Sequence, residues 1–374
     1  MKKKSIKILF LFLLSTLVFY SCNDAVLPTD SNINNSQITE KKQTDNVSIS
    51  VFASGLNSPR GLKFGPDGYL YVAEAGLGGN NSTLGQCDQV IPPIGPYLGG
   101  NTARILKINS SGSISTVVDN LPSSQNAMGD LLGAADIEFI NNDLYALIAG
   151  GGCSHGHSDV PASIIKINSD ASWSVLADLS TYQQNNPVAH PEEDDFEPDG
   201  SWYSLINVRG NLYAIEPNHG EMVKVSTNGN IKRVIDFSAS YGHIVPTSVA
   251  YHGNFFVGNL NTFPTVAGSS NIYKVTPSGQ SQIWATGFST ILGVAFDKRD
   301  NLYVLETSSV DGFPTPETGK IIKVSPSGLK SVIVDNLFFP TGMTFGPDGA
   351  LYVSNKGFGP PIPGLGEILR IAVN

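Results

Sequence analysis

The residues best equipped for chemistry in this chain recur at one position, directly after a short apolar strand phrase. They are Glu74, Glu216, Asn259, Glu306 and Asn355, with Ile148 as the sixth and apolar member. Three carboxylates and two amides could form a ring of oxygen ligands around a small molecule or a hard divalent cation. The same side chains could instead accept hydrogen bonds from nearby backbone and pin neighbouring units together. Next to one of them, Glu216-Pro217-Asn218-His219-Gly220-Glu221 sets His219 between two carboxylates. A carboxylate neighbour can orient an imidazole and hold its pKa near neutrality, which makes His219 and Glu216 the candidate catalytic pair; the other reading is that His219 caps a turn. His155 and His157 flank Gly156 and, with Asp159, are the candidate metal ligands, since imidazole suits zinc and copper. Their alternative is a loop whose histidines only make hydrogen bonds. The acidic run from Glu192 to Gly200 could gather calcium, but it lacks the spaced ligand pattern of a calcium loop and also reads as a solvated connector. Trp202 and Tyr203, which follow it, could wall a planar ligand or belong to the core.

The phrase that places these residues occurs six times, as Leu70-Tyr71, Leu144-Tyr145, Leu212-Tyr213, Phe255-Phe256, Leu302-Tyr303 and Leu351-Tyr352. The aromatics are 74, 68, 43, 47 and 49 residues apart. A period of about 40 to 50 residues built from short strands and turns predicts propeller blades, the first two lengthened by insertions. Asp-Gly turns with flanking alternation predict the hairpins. Third strands are expected at 103–109, 163–168, 220–226, 271–276, 320–325 and 367–372. The last unit ends after its third strand, and Ser48 to Phe52 matches the outer strands that precede later units. The fold expected is therefore all-β: a six-bladed propeller of four-stranded blades spanning 48–374, its last blade completed by the N-terminal strand. Such closure hides both sheet edges.

Residues 1–21 read as an export signal, with Lys2, Lys3, Lys4 and Lys7 ahead of a 13-residue apolar run from Ile8 to Tyr20. The run is too short to span a bilayer. Phe19-Tyr20-Ser21-Cys22 resembles a bacterial lipoprotein signal, which implies lipidation at Cys22 and a location in the cell envelope, on the periplasmic or exterior side. Residues 22–47 are then a polar tether. The net charge of −9 falls to −13 once the four signal lysines are removed, which disfavours nucleic acid and anionic membrane as partners. Membrane contact is expected through the lipid alone, and the propeller is expected to be a monomer. Cys87 and Cys153 lie in the two long loops 76–102 and 150–162, which leave equivalent points of adjacent blades. In an oxidising compartment they are expected to form a disulfide, the alternative being two unrelated thiols.

The Pro-x-Gly, Asp-Gly-x-Leu-Tyr-Val pattern resembles NHL-type propellers. Longer stretches resemble the ScyD/ScyE family, named for scytonemin biosynthesis: Gly129-Asp130-Leu131-Leu132-Gly133-Ala134-Ala135-Asp136, Gly150 to Gly156, Glu216 to Glu221, and Gly258-Asn259-Leu260-Asn261-Thr262-Phe263-Pro264. That resemblance covers 48–374 and implies the fold without a settled activity. Calcium-dependent gluconolactonase-like propellers bring carboxylate and amide ligands to a metal from the starts of their inner strands. Here those positions read Arg60, Asp136, Tyr203, Thr247, Leu292 and Thr341, with one carboxylate, so that centre does not carry over, while Arg60 joins the ligand-binding candidates. Three functions remain open: a module binding a small or secreted ligand at the central face, an enzyme of lyase, isomerase or hydrolase type using His219 and Glu216, or a protein-interaction scaffold. The cofactor is left open by the sequence, with a divalent cation as the one candidate.

Overall fold

In the computed structural model, which describes residues 47–192 and 197–373, each Leu-Tyr-Val phrase is the second strand of a blade. These strands are Leu70–Glu74, Asp143–Ile148, Asn211–Glu216, Asn254–Asn259, Leu302–Glu306 and Leu351–Asn355. They are almost wholly buried, because another blade packs on each face of every blade. This is why they read as continuous apolar runs rather than as alternating ones.

The inner strands are Pro59–Phe64, Ala134–Ile140, Ser204–Val208, Pro246–His252, Ile291–Phe296 and Gly342–Phe345. All six blades are antiparallel, and the last is closed by Ser48–Leu56 on Gly366–Ala372, with Ser48 opposite Ala372. The expected third strands are found at Leu98–Ile108, Ser163–Ile167, Glu221–Val225, Ser270–Val275, Gly319–Val324 and Gly366–Ala372. The first of these starts earlier than expected. Its partner Ile114–Gln125 is correspondingly long and also pairs with the short strand Leu131–Leu132, giving blade one a fifth strand. Two helices absent from the sequence reading, Leu179–Asn185 and Phe237–Tyr241, follow outer strands and are capped by Asp178 and Asp236, whose carboxylates accept amide hydrogens of the first turn.

Six apolar clusters fill the six junctions between blades. The phrase aromatic of one blade meets a phenylalanine at the end of the next inner strand edge-to-face: Tyr71 on Phe139, Phe256 on Phe296, Tyr303 on Phe345 and Tyr352 on Phe64, with centroids 5.0 to 5.1 Å apart. Such pairs add about 0.5–1.5 kcal/mol each beyond area burial. The Asp of the repeated Phe-Gly-Pro-Asp-Gly turn fixes that aromatic. Asp67 accepts the Tyr71 hydroxyl at 2.9 Å and Asp348 that of Tyr352 at 3.2 Å.

The export signal at 1–21, Cys22 and all but the last residue of the 22–47 tether lie outside the described residues, as do Glu193 to Phe196 of the acidic run and Asn374.

Candidate functional site

The inner strands line the central channel, and their starts must come close together there. A Cβ on Gly61 would lie 1.9 Å from Asp136 Oδ1, and one on Gly342 would lie 2.7 Å from the Arg60 carbonyl oxygen. Glycine after the first residues of these strands is thus a packing requirement of the ring. Immediately beside these glycines, side chains tie the blades across the channel. Arg60 Nη2 donates to the Leu131 carbonyl at 2.8 Å, and the guanidinium also hydrogen-bonds Tyr203. The Tyr203 hydroxyl in turn donates to the Thr341 carbonyl at 2.7 Å. Thr341 Oγ1 donates to the Pro59 carbonyl at 2.7 Å, and Thr247 Oγ1 to that of Ile291 at 2.5 Å.

Two cavities share Ala135, Tyr203 and Leu292 of this layer. One, of about 250 Å³, follows the inner strands and is bordered by Lys63, Asp136, Ser204, Ser248 and Thr344. The other, of about 190 Å³, opens among the loops that leave the second strands. Its walls are Trp202, Tyr203, Phe263, Phe358, Leu131, Leu132, Leu260 and Leu292, with Pro217 and Pro314. Arg60, Asp130, Thr247 and Thr307 are its main polar members. Trp202 is fully buried, and its Nε1 donates to the Asp199 carbonyl at 3.3 Å.

The residues that follow the Leu-Tyr-Val strands border neither cavity. They stand one strand out from the axis, and their polar atoms meet backbone groups and neighbouring side chains. Glu74 accepts Asn57 N–H at 2.8 Å and pairs with Arg104; Glu306 accepts Ser289 N–H at 2.9 Å and faces Lys320 at 3.2 Å. Asn355 accepts Phe338 N–H at 3.1 Å, and Asn259 donates to the Ile244 carbonyl at 2.8 Å. The bonds to Asn57, Ser289, Phe338 and Ile244 hold the segments that lead into the same blades' inner strands. Ile148 has no such function and lies in the apolar core, while Ser123 and Ser124 bond the Ala75, Gly150 and His155 carbonyls there instead. No local pattern in the sequence marked those serines.

His219 and Glu216 are brought together, with Nδ1 to Oε2 at 3.1 Å, both buried. Burial alone would raise the Glu216 pKa, yet His219 and the amides of Ser201 and His219 outweigh it and hold the carboxylate below its ordinary range. Burial likewise works to lower His219, but Glu216 outweighs it and the imidazole is raised. Each partner thus favours the charged form of the other, and the contact also orders the Asn218–His219 turn. Neighbouring Glu221 is pushed up to about 7 by burial against the pull of Arg233.

The disulfide Cys87–Cys153 is present, with Cα atoms 6.3 Å apart. It joins the two long loops, which are further bonded from Thr83 to the Cys153 carbonyl and from Asn81 to the Gly156 carbonyl. His155 and His157 turn to different partners: His155 Nδ1 donates to the Gly151 carbonyl at 2.8 Å, and His157 Nε2 to that of Ser123 at 3.2 Å. His155 also lies 3.7 Å from Glu197, which accepts the Tyr97 hydroxyl at 2.8 Å. Among the described residues no three His, Cys, Asp or Glu side chains are grouped to hold a metal ion.

Nor do the inner-strand starts suit a divalent cation. Their single carboxylate, Asp136, is spent on Leu205 N–H at 2.7 Å and Ile137 N–H at 2.9 Å, and burial pushes its pKa up to about 7. A guanidinium occupies the ring beside it, and a cation there would face Arg60 rather than a ligand.

No family model matches the chain, and no curated protein does. Solved structures do. A gluconolactonase from Xanthomonas campestris aligns with TM-score 0.53 and 10% identity, covering 88% of this chain and 90% of that one. A glucose dehydrogenase aligns with TM-score 0.53 and 12% identity over 87% of this chain and 100% of that one. A protein of unknown function from Bacteroides thetaiotaomicron aligns with TM-score 0.54 and 11% identity over 88% and 76%. At these identities the likeness is one of fold, that of a six-bladed propeller.

Proposed function

We propose that this chain is an exported, lipid-anchored propeller of ScyD/ScyE type that binds a small, largely apolar ligand in the pocket among its second-strand loops. The observation that carries this reading is where the pocket's walls come from. Three of the four stretches that resemble the ScyD/ScyE family contribute to it: Asp130 to Gly133 with Ala135, then Pro217, then Leu260 and Phe263. A largely apolar cleft with a few convergent polar groups is the usual form of a small-molecule site. Its size supports a modest ligand, since about 150 Å³ suffices for benzene.

Catalysis by His219 and Glu216 has less support, because the two are buried against each other and border neither cavity. The fold neighbours named as gluconolactonase and glucose dehydrogenase keep an enzyme compatible with the architecture, without assigning residues to it.

The test is a thermal-shift screen of metabolites on the full chain and on Leu260→Trp, which places a larger ring on the partly exposed wall. A ligand at about 100 times its dissociation constant adds about 2.7 kcal/mol, which for a propeller of this length is about 4 °C. Hits should disappear in Leu260→Trp, and hits unchanged by it would refute the site. Membrane release of Cys22→Ala, measured by cell fractionation, tests the anchor.

A further inference from the structure

Arg60 is the one buried lysine or arginine among the described residues, and it makes no ion pair there. Arg104 and Arg233, both only partly buried, each have a carboxylate. A desolvated cation is costly without a countercharge, so its lack of one at a cavity wall calls for explanation. The carboxyl group bordering the pocket is that of Asp130, one residue before the carbonyl that Arg60 holds. Burial raises the Asp130 pKa against the opposing pull of Asn126 and of Arg60, with which it forms no ion pair. Each is kept in place by its own restraints: Arg60 by Leu131 and Tyr203, and Asp130 by Asn126, whose side-chain Nδ2 donates to Asp130 Oδ2 at 3.5 Å while its Oδ1 accepts the Asp130 backbone N–H at 2.8 Å. Opposite charges held apart in an otherwise apolar cleft are complementary to a ligand that carries both charges on one small head and an apolar group behind it.

Resting on the pocket reading above, we propose that the ligand is a free α-amino acid with an apolar or aromatic side chain. Its carboxylate meets Arg60, its ammonium meets Asp130, and its side chain lies against Trp202, Leu132 and Phe263. A simple aromatic acid would leave Asp130 facing the incoming carboxylate, and a simple amine would leave Arg60 unmatched. The zwitterion satisfies both.

The experiment is isothermal titration of the full chain with L-tryptophan, L-phenylalanine and L-leucine, beside indole-3-propionate (no ammonium), tryptamine (no carboxylate) and indole (neither). At least one amino acid should bind about tenfold or more tighter than analogues lacking either charge, the effect expected of one unmatched charge-assisted bond. Asp130→Asn should remove the advantage of L-tryptophan over indole-3-propionate, and Arg60→Gln its advantage over tryptamine. Should Arg60→Gln fail to fold, the wild-type analogue series and Asp130→Asn still decide. Binding of indole or indole-3-propionate as tight as that of the amino acids overturns the zwitterion while leaving the pocket standing. Absence of binding by all six probes overturns both.

Discussion

Removing the Cys87–Cys153 crosslink should cost about 4 kcal/mol while leaving the folded loops in place. The bridge closes a sequence separation of 66 residues, and in the chain-entropy account a loop of that size restricts the unfolded ensemble by about 4 kcal/mol at 25 °C. The folded state loses little in exchange. Thr83 still bonds the Cys153 carbonyl, Asn81 still bonds the Gly156 carbonyl, and Gly99 and Asn81 still exchange backbone hydrogen bonds at 2.8 and 2.9 Å. At about 2.1 cal/mol/K per residue, the Gln43–Asn374 unit has an unfolding entropy near ~0.7 kcal/mol/K, so the loss corresponds to a fall in Tm of about 6 °C. The assay is calorimetric or urea unfolding of oxidised wild type, reduced wild type and the Cys87→Ser/Cys153→Ser double variant. Reduced wild type and variant should agree, with hydrogen exchange in the two loops little changed before the transition. A Tm difference below about 1 °C between oxidised and reduced protein would refute the reasoning, because the unfolded chain would then gain nothing from release.

Glu216→Gln should destabilise the propeller by about 3 kcal/mol in urea unfolding, since it leaves a raised imidazole without its countercharge in a buried site; a loss under 1 kcal/mol would show that the pair is not ionised. Asp136 and Glu221 both have folded pKa values raised to about 7, above the ordinary range near 4. The stability each contributes is therefore complete below pH about 4 and is lost as pH rises to 7, on the order of 3 kcal/mol apiece. Asp136→Asn and Glu221→Gln should each flatten the stability profile between pH 4 and 7, and an unaltered slope would contradict the assignment. Gly61→Ala should prevent soluble folding or cost several kcal/mol, because the new methyl meets Asp136 and the backbone beside it; normal expression and an unchanged Tm would count against the tight ring.

The blade pattern was legible because each blade carries its own instructions. The turn aspartate, its glycine and the aromatic four residues on form one local unit, as Asp67 and Tyr71 show, and the same unit recurs at Asp348 and Tyr352. Closure by Ser48–Leu56 was legible for the same reason, since an outer strand was missing at one end and present at the other. The positions singled out by the repeat are the last residues of the six second strands. Whether their carboxylates face a ligand or a backbone amide depends on how far that strand lies from the axis, and no spacing within the chain encodes this.

Local periodicity thus determined the strands, the turns, the blade count and the loops that carry the cysteines, because contacts within a blade join residues close in sequence. Tertiary structure alone decided the pocket. Arg60 reaches Leu131, 71 residues away, and Tyr203 reaches Thr341, 138 residues away, while Phe358 closes a wall on the same cavity. Those residues meet only after all six blades have closed on one another. A buried arginine without a carboxylate and an aspartate held short of it become visible only when burial and distance can be measured together.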